Sequence, residues 1–537
     1  GNEGSDGVCL KNFRVTALYP LTYTGLPEGG TFTVRDSKGQ TVAPQSDGTY
    51  LLPEGAYTYT SSAFGYETAR GSFKIPDRSS VTVSLKKLPT YKVTFRIPEG
   101  ASLTVTDPTA GSMDAFRQGD AFTLPAGETY SYEVTKANCL PSRGSFTLTE
   151  ERTIEVSALT DAGEGWDGTA VTEPTQAEGV YQIGSAAELA WFAQQAERET
   201  GLKGQLTANI NLNGKPWTGI KQFAGTLAGG GYVISGVTAP LFDSVDANGT
   251  VKNLVVMGSI TGSGHLGGIV STLSGTVENC AFEGSVTNYG PSYGSVSLGA
   301  IAGRAQKGSS IRGCAVSAEL KNNTASYNTA LHTGFIAGYA YGIIENCYAT
   351  GSAWADSSRD TNSALGGLVG TLYADGTLRN AYFSGTVTGP ENGIGLVIGA
   401  NKGTVENTFF LPNGSIPAVA DNTASTAPDT KAISADEMRT DAFAYELGSA
   451  FHMDTDGVNS GFPILSWQGG SAPVVSTDEE DSAADLAALN LQTTDGKTLS
   501  ADSQGIYQIR NALTLKLSGQ GEHGSTITWT ASPCLTV

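Results

Sequence analysis

Short runs of β-forming residues, separated by Gly and Asn, recur between residues 250 and 411 without helical periodicity. Six runs align on their fourth position, and this column repeats every 26 to 34 residues: Asn253, Asn279, Gly313, Asn346, Asn380 and Asn407. Units of this length cannot bury an apolar face alone, so the repeat predicts a solenoid. Because each run is typical of a strand, we expect a right-handed parallel β-helix with Asn at a bend in each coil.

The neighbouring columns predict which side chains face the core. The position two before Asn is always aliphatic, from Val251 to Val405, and should point inward. The position just before Asn alternates in charge: Lys252, Glu278, Arg312, Glu345, Arg379 and Glu406. In coils stacked at about 4.8 Å, this column predicts an outward ladder of opposite charges.

The position after Asn contains three of the six cysteines: Cys280, Cys314 and Cys347. We expect free, buried thiols that act as small apolar side chains. A strained disulfide and a zinc site are the alternatives, although no CxxC pair or nearby His completes a metal site.

One further column points outward and becomes aromatic over three adjacent coils, at Tyr348, Tyr382 and Phe409. Amphipathic rings suit the faces of sugars, so these three residues are candidate binding residues. The alternative is that the C-terminal helix or linker covers the strip.

The longest insertions, at 286–298, 318–333 and 352–365, fall at one point of the repeat and should cluster, as functional loops on rigid scaffolds do. They add the candidate binding residues Tyr327, Trp354, Asp356, Arg359 and Asp360. Asp356 and Asp360 could also be the paired carboxylates of a glycosidase. Acidic pairs in loops are more often simply solvated.

The remaining segments predict a multidomain, all-β chain. Residues 1–88 and 89–160 contain a second repeat of alternating strands, which favours two small β-sandwiches that act as spacers or as binding modules. Residues 161–470 form the β-helix with its end-capping helices. The helical segment 181–200 begins with a capping box at Ser185 and Glu188. Residues 471–537 combine an acidic linker with a partial module that stops before a seventh strand, so we expect a shortened domain or one completed by a partner.

Asp454 and Asp456 have a spacing similar to that of calcium loops, but the rest of the pattern is absent. A plain turn is the alternative, and we expect no metal and no cofactor in the chain.

Three segments of the chain resemble known families. Segment 53–57 (Pro-Glu-Gly-Ala-Tyr), with Gly65 and Tyr66 after it, resembles the PEGA-type surface domain. Residues 178–467 resemble the GLUG-repeat proteins of bacterial surfaces, through the FAGTLAGGGYVISG segment (223–236), the GGLVG repeats and the final GFPILSW strand (461–467). The chain departs from the acidic positions of that family at Asn209, Asn211, Ala228 and Gly230. The 505–537 tail resembles the start of a bacterial immunoglobulin-like domain.

Composition and charge exclude some classes of function. The net charge is −20, with 32 basic and 52 acidic residues, which argues against a nucleic-acid partner. No apolar run approaches the length of a transmembrane helix. Together with the GLUG resemblance, this predicts an extracellular, surface-attached monomer that binds a host or dietary glycan or a surface protein through the flank of the β-helix. A polysaccharide-degrading enzyme and a passive scaffold are the alternatives.

Overall fold

The computed structural model describes residues 17–37, 41–45, 47–107, 110–289, 294–323, 329–355, 363–389, 393–473, 490–493 and 515–518. The chain is almost entirely β, and it contains the predicted parallel β-helix and the two sandwiches before it. The all-β fold class is therefore confirmed.

The first sandwich has two sheets around a core of aromatic and aliphatic residues. Its strands are Leu18–Thr24, Thr31–Arg35, Thr41–Val42, Tyr50–Pro53, Gly55–Ser62, Ala69–Ile75 and Ser80–Thr82. Alternation of buried and exposed residues along Gly55–Ser62 and Ala69–Ile75 gives each sheet one inner face.

The second sandwich repeats this plan with a separate core. A short 3-10 helix, Asp114–Phe116, accompanies its strands Thr90–Arg96, Ser102–Asp107, Gly111–Ser112, Arg117–Gln118, Ala121–Pro125, Thr129–Thr135, Ser142–Thr147 and Arg152–Glu155. The domain boundaries at 88, 160 and 470 stay predictions.

The β-helix is built from three sheets, which we call the first, second and third sheets. The first contains Thr175–Ala177, Val180–Ile183, Lys203–Leu206, Ile210–Asn211, Thr226–Ala228, Val233–Val237, Thr250–Gly262, Thr276–Asn288, Ser310–Arg312, Ala315–Asn322, Ile343–Ala355, Thr377–Phe383, Thr386–Thr388, Thr404–Phe410 and Thr430–Ala432. The second contains Phe242–Val245, Val270–Leu273, Ala302–Ala305, Ala337–Ala340, Val369–Leu372, Ile398–Asn401 and Val419–Asn422. The third contains Leu266–Gly267, Gly294–Gly299, Thr329–Gly334, Ala364–Gly366 and Ile394–Gly395.

The strand register confirms the sequence columns. Lys252 pairs with Glu278, Glu278 with Arg312, Arg312 with Glu345, Glu345 with Arg379, and Arg379 with Glu406. Glu345 is buried in this ladder, and its carboxylate lies 2.9 Å from Arg312 Nη1 and 2.7 Å from Arg379 Nε. The aliphatic column and the cysteine column both lie in the core.

The Asn column forms the predicted bend, and its backbone explains the residue type. Asn253, Asn279, Asn346, Asn380 and Asn407 all have φ between +47° and +54°, and Gly313 has φ +58°. Asn and Gly adopt this left-handed conformation at the smallest cost. The amides also bond along the stack: Asn279 Nδ2 donates to Asn253 Oδ1 at 3.3 Å, and Asn407 Nδ2 donates to Asn380 Oδ1 at 3.0 Å.

Helix α1, Ala186–Ala196, packs on the first coils. Ser185 Oγ accepts the Glu188 N–H, as predicted, and the Glu188 carboxylate accepts from Gly184 N at 2.7 Å. The Phe192 ring fits because Gly204 lies beneath it; a Cβ there would come within 2.7 Å of the ring. The core of the β-helix thus continues into the helix at this end.

The C-terminal segment consists of α2 (Ala435–Met438), α3 (Asp441–Leu447), the strand pair Phe451–His452 and Ile464–Leu465, and the 3-10 turn Ser466–Gln468. This segment lies along the flank of the first sheet. Among the described residues, no helix is long and apolar enough to cross a membrane. Beyond the linker, the structure describes one antiparallel pair, Asn490–Thr493 with Leu515–Ser518; the rest of the predicted immunoglobulin-like tail lies outside the described residues.

Cys280, Cys314 and Cys347 are free and buried, which agrees with the expected thiol column. Burial raises the pKa of the Cys280 and Cys347 thiols well above the usual value, so both stay protonated. Cys9 and Cys534 lie outside the described residues.

Candidate functional site

The three aromatic residues predicted as an exposed strip point outward but are covered. Tyr348, Tyr382 and Phe409 are 4%, 0% and 2% exposed. They share a hydrophobic cluster with Met438, Phe443, Leu447, Phe451, Phe462 and Ile464 of the C-terminal segment. The exposed-strip prediction is therefore wrong, and the alternative, that the C-terminal segment covers the strip, describes the structure.

Hydrogen bonds also hold the C-terminal segment against the aromatic strip. Tyr382 Oη donates to the carbonyl oxygen of Pro463 and accepts from Asn459 Nδ2 at 2.6 Å. Tyr348 Oη donates to Gln468 Oε1 at 3.0 Å. Buried hydroxyls need such partners, and the C-terminal segment supplies two to Tyr382 and one to Tyr348.

The insertion residues are only partly described. Trp354 is 38% exposed and lies near the end of Ile343–Ala355, outside the cleft described below. His332 is buried, and one of its ring nitrogens lies 2.7 Å from Thr371 Oγ1. Tyr327, Asp356, Arg359 and Asp360 lie outside the described residues, so their role as binding or catalytic groups stays a prediction.

The second sandwich docks onto the uncovered part of the same flank. Arg143 of the sandwich forms an ion pair with Glu283 of the first sheet. Ser131 Oγ lies 2.8 Å from Ser460 Oγ of the C-terminal segment. A Cβ at Gly457 would come within 2.4 Å of Ser145 N, so the loop approaches the sandwich backbone closely. The second sandwich therefore contacts both the β-helix and the C-terminal segment.

The docking leaves a cleft of about 610 Å³ between sandwich, first sheet and C-terminal segment, which we call the flank cleft. Its sheet wall includes the outward column Met257, Glu283, Ser317 and Thr350, which the register places side by side. Its other walls include Tyr132, Arg143, Asn459, Phe462 and Gln468. Of the candidate residues that the structure describes, Tyr348 alone is among those that line this cleft.

Charge in the flank cleft centres on Arg143. Its guanidinium binds Glu133 through Nε at 2.5 Å and also contacts Glu283. Loss of solvent lowers the pKa of Arg143, but the two carboxylates outweigh this effect and raise it above its ordinary value. Burial raises the pKa of Glu283, and this effect exceeds the lowering by Arg143. The cleft is therefore lined by aromatic rings, amides, hydroxyls and two carboxylates, those of Glu133 and Glu283, which Arg143 bridges.

A second cavity of about 450 Å³ continues along the same junction. Pro141, Arg143, Met257 and Glu283 line both cavities, so the Arg143–Glu283 pair lies between them. The two cavities therefore adjoin along the junction between the second sandwich and the first sheet.

The Asp454 loop forms the plain turn that we weighed against a calcium site. Asp454 Oδ1 accepts from Val458 N at 2.8 Å, and Oδ2 accepts from Asn459 N at 2.7 Å and Gly461 N at 2.9 Å. Three amides converge on this carboxylate, which holds the loop beside Tyr382. Among the described residues, no cluster of His, Cys, Asp and Glu could hold a metal ion.

The alternation of the first sheet could have predicted that Glu283 points outward, because it shares a face with Ala281. Nothing in the sequence indicates that Arg143, more than a hundred residues earlier, would meet it. Such a pairing depends on how two separately folded modules pack.

Comparison with known proteins supports the repeat. Residues 361–388 match the family described as the GLUG motif. This match includes Gly366 and Gly367 of one repeat, and it confirms that part of the GLUG resemblance; the PEGA-type and immunoglobulin-like resemblances stay predictions.

Two solved structures are similar over larger parts of the chain. A crystal structure described as that of a candidate immunoglobulin A1 protease from Bacteroides ovatus is 21% identical, with a TM-score of 0.40, over 53% of this chain and 92% of the other. A structure described as IgA1 protease is 12% identical, with a TM-score of 0.34, over 75% of this chain and 29% of the other. No curated protein matches the chain. Both likenesses are too weak to define the function of this chain.

Proposed function

We propose that this protein is an extracellular binding protein that holds a glycan in the flank cleft. The observation that carries the proposal is the cleft itself, because an open volume of about 610 Å³ combines aromatic and polar side chains on a rigid β-helix. Sites of this size with apolar walls and a few polar groups are typical of small ligands. Sugars in particular use ring faces together with hydroxyl hydrogen bonds.

The GLUG motif and the acidic composition support a location on or outside the cell surface. In this proposal the second sandwich supplies one wall of the site, and the C-terminal segment supplies another. Tyr348 contributes beneath the cleft, whereas Tyr382 and Phe409 act only by anchoring the C-terminal segment.

The test is retention of the full chain on a panel of immobilised neutral glycans. Ser317 is exposed and lines the cleft, so Ser317→Trp should fill the cleft and weaken binding by about tenfold or more, equivalent to about 1.4 kcal/mol. Ser352→Trp is the matched control, because Ser352 is exposed on the neighbouring strand segment and does not line the cleft. Equal binding by both variants, or no retention of any glycan, would contradict the proposal.

The enzyme alternative is tested in the same samples by assaying new reducing ends. Glu283 is the residue to substitute, because it lines the cleft and burial raises the pKa of its carboxyl group. Release of reducing ends that Glu283→Gln abolishes would replace the binding proposal with a hydrolase. Retention without release supports the binding protein.

A further inference from the structure

Three half-buried tyrosines gather on another side of the β-helix, along the second sheet and the bend that follows it. Tyr341 and Tyr373 stack with ring centroids 4.2 Å apart and an interplanar angle of 13°. Tyr339 meets Tyr373 edge-on at 5.1 Å, and Tyr373 Oη donates to Tyr339 Oη at 2.9 Å. We call these three residues the tyrosine cluster.

The coil geometry explains the cluster. Arg304, Tyr339 and Thr371 pair side by side on the second sheet. At the next bend, Tyr341 N donates to Ala305 O and Tyr373 N to Ala340 O, both at 2.8 Å, so these two residues occupy the same place in successive coils. Lys402 follows in the next coil, with its N–H bonded to Leu372 O.

Two cations lie at the ends of the cluster. The Arg304 guanidinium is 5.4 Å from the centre of the Tyr339 ring, and Lys402 Nζ is 5.2 Å from the centre of the Tyr373 ring. Within the described part of the chain, neither cation has a carboxylate within ion-pair distance. A third cation, Lys307, forms an exposed pair with Asp375 at 3.1 Å.

Arg304 is only partly satisfied by the protein. Its Nη1 lies 3.3 Å from His265 Nε2, while its buried Nε has no hydrogen-bond partner in the described residues. Burial and the neighbouring Arg304 lower the pKa of His265 to about 4, so this imidazole is neutral at pH 7. His265 can therefore accept a hydrogen bond from Arg304 but cannot balance its charge. A half-buried arginine without a counter-ion among the described residues is unusual in a chain of net charge −20.

We propose that the tyrosine cluster is a second binding site, for an acidic saccharide whose carboxylate or sulfate groups contact Arg304 and Lys402. A guanidinium matches the geometry of both anions. The tyrosine hydroxyls, with Ser295 Oγ 3.3 Å from Tyr339 Oη, supply groups that can exchange hydrogen bonds with sugar hydroxyls. Two cations separated by the rings fit charges spaced along a chain better than a single small anion. This site is separate from the flank cleft and does not depend on it.

The simpler interpretation is that the cations only stabilise the rings through cation–π contacts. The two interpretations differ in what a charge substitution does. A purely structural role predicts lower stability with no ligand affected, whereas a binding site predicts weaker binding of acidic polymers alone.

The experiment measures binding of the full chain to polygalacturonate, dextran sulfate and uncharged dextran at low and at physiological salt. The Arg304→Gln/Lys402→Gln variant should weaken binding of the acidic polymers by about tenfold or more, because it removes two charge-assisted contacts. Dextran should not bind the cluster. Preference between the two acidic polymers distinguishes carboxylate from sulfate, and either preference supports the site.

Matched variants make the result specific. Arg78→Gln/Lys86→Gln removes the same charge from the first sandwich and should leave binding unchanged; an equal loss there would show non-specific attraction and overturn the proposal. Lys402→Gln alone changes one exposed side chain and should not disturb folding. It therefore tests the site even if the double variant misfolds. Ser317→Trp in the flank cleft should have no effect, and a loss in that variant would move the acidic ligand to the cleft. No binding of either acidic polymer would also overturn the proposal.

Discussion

Two groups of outward-pointing aromatic residues on the same β-helix have opposite surroundings. Tyr348 and Tyr382 stack with centroids 5.3 Å apart and are buried beneath the C-terminal segment. Tyr341 and Tyr373 stack at 4.2 Å and remain partly exposed, with Lys402 over one ring. The repeat decides that each ring points outward. Whether a ring is covered depends on a segment that folds back from elsewhere in the chain.

The hydroxyl partners show the same difference. On the covered side, Pro463, Asn459 and Gln468 of the C-terminal segment take the hydrogen bonds of the tyrosines. On the open side, Tyr373 bonds to Tyr339, and cations occupy the ring faces. The covered rings anchor the C-terminal segment, whereas the open rings contact one another and two cations and form the proposed second site.

The largest expected effect is that of Tyr382→Ala. This substitution removes a fully buried ring and leaves Asn459 without its partner, so the free energy of unfolding of the β-helix should fall by about 3–5 kcal/mol. Tyr341→Ala, the matched change on the open side, should cost about 1–2 kcal/mol because its ring is only half-buried. Urea unfolding measures the loss of stability in both variants. In limited proteolysis, residues 434–467 should be cut faster in Tyr382→Ala but not in Tyr341→Ala. Equal losses would mean that the two sides do not differ.

The column of alternating charges offers a second comparison between a buried residue and an exposed one. Glu345 is 7% exposed and bonds to Arg312 and Arg379, whereas Glu406 at the end of the same column is exposed. Glu345→Gln should cost about 1–2 kcal/mol, because two partly exposed arginines lose their shared counter-ion. Glu406→Gln should cost about 0–0.5 kcal/mol. Thermal melts at two salt concentrations test this pair of variants, and a larger loss in Glu406→Gln would contradict it.

The sequence predicted the β-helix correctly because its columns are local. The Asn bends, the aliphatic column and the alternating charges each follow from residues within one coil and its neighbours, and the register reproduces all three. The candidate site was less predictable. Tyr382 points outward as expected, but its burial requires Phe443 and Phe451 to pack on it, and no periodicity encodes that docking.

The flank cleft shows the same limit. Glu283 could be placed on the outer face from strand alternation, yet its partner Arg143 belongs to another module. Side-chain direction is a property of a strand and can be predicted from a short segment. A site between modules depends on the relative placement of folded units, and a single sequence carries little information on that placement.

Trp467→Phe should have a smaller effect, localised at the one gap in the Asn ladder. Gly313 replaces Asn in this column, and Trp467 Nε1 donates to Gly313 O at 2.9 Å. Phe keeps most of the ring contact but not the donor, so the expected cost is about 1 kcal/mol. The rate at which a protease cuts the C-terminal segment measures this effect. Trp354→Phe, on an exposed part of the sheet, is the control variant. An unchanged cleavage rate would show that this bond does not help to hold the cover in place.

Among the tyrosine substitutions, the smallest expected effect is that of Tyr373→Phe on the open side. The substitution keeps the stack on Tyr341 and removes the hydrogen bond to Tyr339 Oη, so it should lower stability by only about 0.5–1 kcal/mol. Tyr382→Phe, which removes a hydroxyl with two buried partners, should cost about 1–3 kcal/mol. Both substitutions remove one hydroxyl group. The difference between their costs in unfolding free energy, measured in urea, therefore isolates the effect of the C-terminal segment that covers Tyr382. If Tyr373→Phe proves as costly as Tyr382→Phe, the tyrosine cluster is itself a covered, structural element, and its proposed role as a ligand site loses its basis.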